Sequence, residues 1–135
     1  MTKTIAIVED EPAIRENYAA AFTREGYAVR SFASRPLALQ AFASRLPDLV
    51  VIDISLGDEP EGGYELCREL RSDPELAGIG VVVATASVGE SCVAAAYEAG
   101  ADDFMAKPFS LATLLGRVRT VASQTSRVPE PARAG

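Results

Sequence analysis

The chain has 135 residues, enough for one ordinary domain with a real core. Its 48% hydrophobic and 24% charged content is that of a globular protein, and no apolar run nears the roughly 20 residues of a membrane span. A net charge of −6 argues against nucleic-acid binding by this chain itself, and the lack of histidine excludes a Ser-His-Asp triad, a Cys-His pair, a His-ligated metal and a phosphohistidine of its own.

Thr4 to Val8 is predicted as a first strand, running into Glu9-Asp10-Glu11 and Pro12. Pro12 suits the first turn of a helix and Asp10 or Glu11 its cap. Ala13 to Glu25 follows with helical spacing at Ile14, Tyr18, Ala21 and Phe22 until Gly26 stops it. Tyr27 to Phe32 reads as a second strand. Ser34 to Arg45 reads as a helix with Leu37, Leu39, Phe42 and Leu46 as candidate core residues. Pro47-Asp48 turns into Leu49-Val50-Val51-Ile52, an unbroken apolar run that reads as a strand buried on both faces and ends on Asp53.

A loop rich in glycine and acids spans Ile54 to Gly63. Tyr64 to Ser72 is predicted as a helix with Leu66, Cys67 and Leu70 inward, ended by Asp73-Pro74. Gly80 to Ala84 is a fourth strand, followed by Thr85-Ala86-Ser87, and Gly89 to Ala99 is an alanine-rich helix closed by Gly100. A short fifth strand, Asp102 to Met105, leads to Ala106-Lys107-Pro108. Ser110 caps a last helix through Ser123, with Leu111, Leu114, Leu115 and Val118 on one face. Residues 124–135 read as a disordered tail or the start of an interdomain linker, which leaves 1–123 as the domain. Met1-Thr2-Lys3-Thr4 runs straight into the first strand, so no secretory leader and a cytoplasmic location are expected. Cys67 and Cys92 lack metal-ligand spacing and read as small hydrophobes in a reducing compartment.

Five strands alternating with five helices imply an α/β fold, a doubly wound five-stranded parallel sheet with helices on both faces. In strand order 2-1-3-4-5 the ends of strands one and three meet at the switch point, where such sheets bind ligands. The strand ends then carry Glu9 and Asp10, Asp53, Thr85 and Lys107. Three carboxylates in one crevice need compensating charge, by raised pKa values or a cation. Without Cys or His among them the donors are hard oxygens, which fits Mg2+. With a hydroxyl and an ammonium beside them, this is the inventory of phosphoryl transfer to an oxygen nucleophile. Taken singly, each residue is more often a cap, a turn residue or a solvated lysine; joint placement at four strand ends is what carries weight. Lys107 also stands out because the chain has only two lysines against eleven arginines.

The runs Val8-Glu9-Asp10-Glu11-Pro12, Ile52-Asp53-Ile54, Ala84-Thr85-Ala86 and Gly100 to Phe109, in that order, resemble the receiver domain of two-component response regulators, over residues 3 to about 123. The resemblance implies a flavodoxin-like receiver fold. It implies Asp53 as phosphoacceptor from a sensor histidine kinase or phosphotransfer protein, and Mg2+ held by Glu9, Asp10, Asp53 and the main-chain carbonyl of Ser55. It implies Thr85 and Lys107 on the phosphoryl oxygens, a cis Lys107-Pro108 bond, and Phe104 as an aromatic switch moving with Thr85. The face of the fourth helix, fifth strand and fifth helix would then control an effector domain or protein that the sequence leaves unknown.

The chain departs from the family pattern in its long acidic 54–63 loop and in Glu9-Asp10 where Asp-Asp is commonest. It also has no Lys or Arg in the fourth helix, so Asp102, Asp103, Arg117 and Arg119 lack one partner of the symmetric dimer that winged-helix regulators form. A monomer or weak dimer is expected. Ser55 and Ser87 are small and should leave the path of attacking water open. The rival of another class, an aspartyl-nucleophile phosphatase, usually carries a second Asp two residues after the first, where this chain has Ser55. An alternative is a non-phosphorylated pseudo-receiver acting as an interaction module. The expectation is a switch that modifies itself, without membrane attachment or turnover of an external substrate.

Overall fold

The five apolar runs pair into one parallel sheet in the order β2-β1-β3-β4-β5. This is a computed structural model, and it describes residues 2–85, 90–107 and 110–124. Ser87, the Lys107-Pro108 bond and residues 125–135 lie outside the described residues, and the expectations placed on them go with them. The elements in chain order are β1 (Thr4–Val8), α1 (Pro12–Arg24), β2 (Ala28–Phe32), α2 (Arg35–Ser44) and β3 (Leu49–Ile52). There follow α3 (Gly62–Ser72), β4 (Gly80–Thr85), α4 (Glu90–Ala99), β5 (Asp103–Ala106) and α5 (Leu111–Gln124). The fold class and strand order are those expected from the sequence.

Alternation along each strand divides the core in two. Ala6, Val8, Val50, Ile52, Val81 and Val83 face Phe42 of α2, Leu66 and Leu70 of α3 and Ala96 of α4. Ile5, Ile7, Leu49, Val51, Val82 and Ala84 face Tyr18 and Phe22 of α1 and Leu114 and Val118 of α5. Because both faces are covered, every residue of β3 and β4 is buried. Each large side chain withdrawn from water in this way contributes about 1.5–3 kcal/mol.

Three local expectations need correction. Leu37 is 51% exposed, because α2 turns Ala38 and Phe42, one turn apart, onto the sheet and so points Leu37 outward. Leu39 and Leu46 do pack against that core. Neither Asp10 nor Glu11 caps α1: Glu11 occupies the N-cap without a side-chain cap bond, and Asp10 is engaged by the loop after β3. Ser110 caps α5 as expected, accepting from the Thr113 amide, and Ser34 caps α2 by accepting from the Leu37 amide. The fifth strand starts one residue later than expected. Asp102 is occupied at its threshold, where Oδ2 accepts from the Val81 amide at 2.8 Å.

The register sets the functional end. Val8 stands opposite Ile52, Ile52 opposite Val83, and Thr85 opposite Ala106. The residues that follow these positions emerge side by side at one edge.

Candidate functional site

Glu9 follows β1 directly and is only 2% exposed. Its main-chain amide donates to the Phe32 carbonyl, which prolongs the β1–β2 ladder and turns the side chain inward. Glu9 Oε2 accepts from the Glu11 amide at 3.2 Å, and Arg15 Nη1 holds the Glu9 carbonyl at 2.8 Å. Asp53 leaves β3 under the same discipline, its amide donating to the Val8 carbonyl at 3.1 Å. Asp10 is exposed at the rim. One carboxylate oxygen from each of Glu9, Asp10 and Asp53 lies within 4.8 Å of the others.

Lys107 enters from the far side of the sheet. Its amide donates to the Thr85 carbonyl at 2.7 Å, extending the β4–β5 pairing by one residue. Its Nζ donates to Glu9 Oε1 at 3.1 Å and to Asp53 Oδ2 at 3.3 Å. Burial opposes the charge of the ammonium, but Asp53 and Glu9 outweigh it and raise its pKa above the usual lysine value. Glu9 is pushed the other way. Burial, then the Asp53 charge, raises its carboxyl above the usual range, and Lys107 offsets only part of this. The ionisation of Tyr18, on α1, is raised by burial first, and Lys107, Glu9 and Asp53 all act on it.

Thr85 closes β4 at 1% exposure, beside these groups through the Lys107 amide. Phe104 sits on β5 opposite Val83, half-buried against the core under α3 and α4. Ser55 is exposed between the buried Ile54 and Leu56. The structure therefore gathers Glu9, Asp10, Asp53 and Lys107 into one cluster, sets Thr85 at its edge, and places Phe104 one strand-end away on the opposite core layer.

The loop after β3 is itself folded. Leu56 and Glu59 exchange both backbone hydrogen bonds at 2.9 Å, and Gly57 takes φ +61° at the first position of the two-residue turn between them. The Gly57 amide donates to Asp10 Oδ2 at 2.9 Å. Sequence reading missed this bond, and it also missed Gly63. A Cβ on Gly63 would lie 2.2 Å from the Asp53 carbonyl oxygen and 2.6 Å from Ile54 Cα. Only glycine lets the start of α3 come this close to the backbone that carries Asp53. The paired glycines Gly62-Gly63 at a helix start were the available signal.

The donor set suits a small hard cation. It has three carboxylate oxygens in reach of one another, no thiol among them, and one ammonium to balance three acids. Such a set could hold a divalent cation, and it places the Asp53 carboxylate beside an ammonium able to bind an anion.

Comparison with known proteins agrees with this geometry. Residues 5–119 match the family model described as the response regulator receiver domain. Response regulator MprA of Mycobacterium sp. (strain KMS) is 38% identical over 127 residues, which is 93% of this chain and 53% of that protein. The chain thus spans about half the length of this curated relative. Among solved structures, the signal receiver domain of a signal transduction histidine kinase from Syntrophus aciditrophicus superposes with a TM-score of 0.85 at 30% identity, covering 95% of this chain and 96% of that one. The BeF3-activated DrrB receiver domain gives 0.80 at 28% identity, covering 91% and 99%. The chain belongs to the response regulator receiver domain family of two-component systems.

Proposed function

We propose that this receiver is a working phosphoacceptor, with Asp53 taking a phosphoryl group from the phosphohistidine of a sensor histidine kinase or phosphotransfer protein. The observation that supports this is Lys107 Nζ bridging Glu9 and Asp53 while Asp10 completes a three-carboxylate cluster. An Asp53 oxygen attacks phosphorus in line, the P–N bond breaks, and its electron pair returns to the donor imidazole. Lys107 releases part of its hold on Asp53 and pairs with the phosphoryl oxygens. Thr85 supplies a hydroxyl donor to the same oxygens.

Glu9, Asp10, Asp53 and the main-chain carbonyl of Ser55 are the groups that would hold Mg2+. The ion would neutralise charge that develops on the transferring oxygens. A similar domain, the DrrB receiver, has been captured in a BeF3-activated form.

The added charge, about −1.5 to −2, then biases Thr85 and Phe104 between two arrangements and changes the α4-β5-α5 face read by an effector. The protein turns over no external substrate on this reading and works in the cytoplasm; no helix among the described residues is long and apolar enough to cross a membrane. Asp102, Asp103, Arg117 and Arg119 on the output face are paired within the chain. Arg117 holds Asp103 at 2.8 Å, Arg71 holds Asp102 at 2.9 Å and Arg119 reaches Glu25 at 3.6 Å, which supports a monomer or weak dimer.

Intact mass after incubation with a small acyl-phosphate donor tests the reading. A gain of one phosphoryl group that requires Mg2+ and is lost in Asp53→Asn is the expected result. No gain under any condition overturns it and leaves a pseudo-receiver interaction module.

A further inference from the structure

The long acidic loop after β3 is held by one arginine with two arms. Arg35, the first residue of α2, grips Glu59 in a fork, Nε to Oε1 at 3.1 Å and Nη2 to Oε2 at 2.9 Å. Its remaining nitrogen, Nη1, meets both oxygens of Glu69 on α3 at 2.9 Å. The Glu59 arm leads into the site. Glu59 and Leu56 close the two-residue turn with two backbone hydrogen bonds, and that turn presents the Gly57 amide to Asp10 Oδ2. The Glu69 arm leads only to the flank of α3.

Asp10 is the one exposed member of the carboxylate cluster. Glu9 is fixed by Lys107 and the Glu11 amide, and Asp53 by Lys107. The Gly57 amide does the same work for Asp10. A hydrogen bond to one carboxylate oxygen fixes which way the other points, and groups that orient a metal ligand set affinity along with the ligand itself. The underside of the turn is firm, since Leu56 is buried and Gly62 of α3 packs against Glu59 and Leu56. The Arg35–Glu59 fork fastens its outer side.

We propose that Arg35 and Glu59 are positioning residues for the cation site, acting through the turn and the Gly57 amide to pre-set Asp10. The inference rests on the metal reading given above. The loop's acidity is then no extra cation trap: Glu59 is spent on Arg35, which lowers the Glu59 carboxyl below its usual range. What reaches the site is a neutral amide of fixed direction.

Mg2+ titration of the 135-residue chain, followed by amide chemical shifts in 15N NMR, tests this with no reference to phosphorylation. The variants are Glu59→Gln, the charge-balanced double Arg35→Gln/Glu59→Gln, and Glu69→Gln. The double variant removes one charge of each sign, so any change in affinity is not a long-range charge effect. Because the tie is one step removed from the ligand, we expect Mg2+ binding weakened about threefold to tenfold in the first two, near the low end of losses for direct orienting groups. Glu69→Gln, which loosens the α2–α3 flank alone, should lower the melting temperature comparably and leave Mg2+ affinity unchanged.

Unchanged affinity in the double variant overturns the inference, and so does equal weakening by Glu69→Gln. A native chain with no Mg2+ response overturns the metal reading and this inference together, whereas the former results leave the metal reading standing.

Discussion

Two cationic knots tie the ends of β4 and β5, and they are built on opposite principles. At the amino ends, Arg71 donates to the carbonyls of Ala77, Ile79 and Gly100 and to Asp102 Oδ2. Asp102 in turn accepts from the Val81 amide. One charge meets one opposite charge, and neutral carbonyls take three more of the guanidinium's hydrogens. At the carboxyl ends, one ammonium faces three carboxylates, and Glu9 is held at a raised pKa. The balanced knot has only a structure to hold. The unbalanced one is short of positive charge, the condition under which a cation could bind there.

Substitutions should separate the two knots by the sign of their effect. The largest loss is expected outside both charge sets, in Gly63→Ala. Its new methyl would force α3 off the Asp53 backbone, so stability should fall by about 3 kcal/mol as overpacking against main chain. Thermal unfolding would show this as a fall of roughly 10 °C. Arg71→Ala should come next. It takes the guanidinium from three carbonyls and from Asp102, which keeps the Val81 amide, at a cost of about 2 kcal/mol, moderated because the pair is partly exposed. Phosphoryl uptake well below the melting point should be retained.

Asp53→Asn should go the other way. Without divalent cations, removing one of three crowded carboxylates should stabilise the chain by about 1 kcal/mol in urea titration, since Lys107 keeps its Glu9 partner. Added Mg2+ should then raise the melting point of the native chain and not of this variant. A stabilising Arg71→Ala or a destabilising Asp53→Asn would collapse the contrast. The smallest effect concerns Cys67, which is fully buried near Arg71, with its thiol pushed up by burial to about 11. At pH 8 it should resist a disulfide reagent in the native chain and react faster in Arg71→Ala, because looser packing exposes it more than the loss of the Arg71 charge, which lowers the thiol pKa, slows it.

The strands and the charged cluster were legible because each is a local pattern placed by one topological rule. Four apolar residues before Asp53, and acids or Lys107 at other strand ends, point to one crevice once the strand order is assumed. Leu37 was misread because composition cannot say which face of α2 meets the sheet; Ala38 and Phe42 decide that together. Gly63 and the Gly57 amide were invisible for another reason. Their roles lie in backbone atoms, which every residue possesses, and only proximity to Asp53 and Asp10 makes them particular. Arg35 and Arg71 each read as one arginine among eleven, with partners tens of residues away.

The placement of Tyr18 has an optical consequence. The chain has no tryptophan and four tyrosines, so its near-ultraviolet spectrum belongs almost wholly to phenol rings. One of the four lies in the core beneath the crevice, within the field of Lys107, Glu9 and Asp53. A change of charge at the strand ends should register as a tyrosine difference spectrum. The molecule therefore carries its own dye, and the filling of the crevice can be followed in solution without a label.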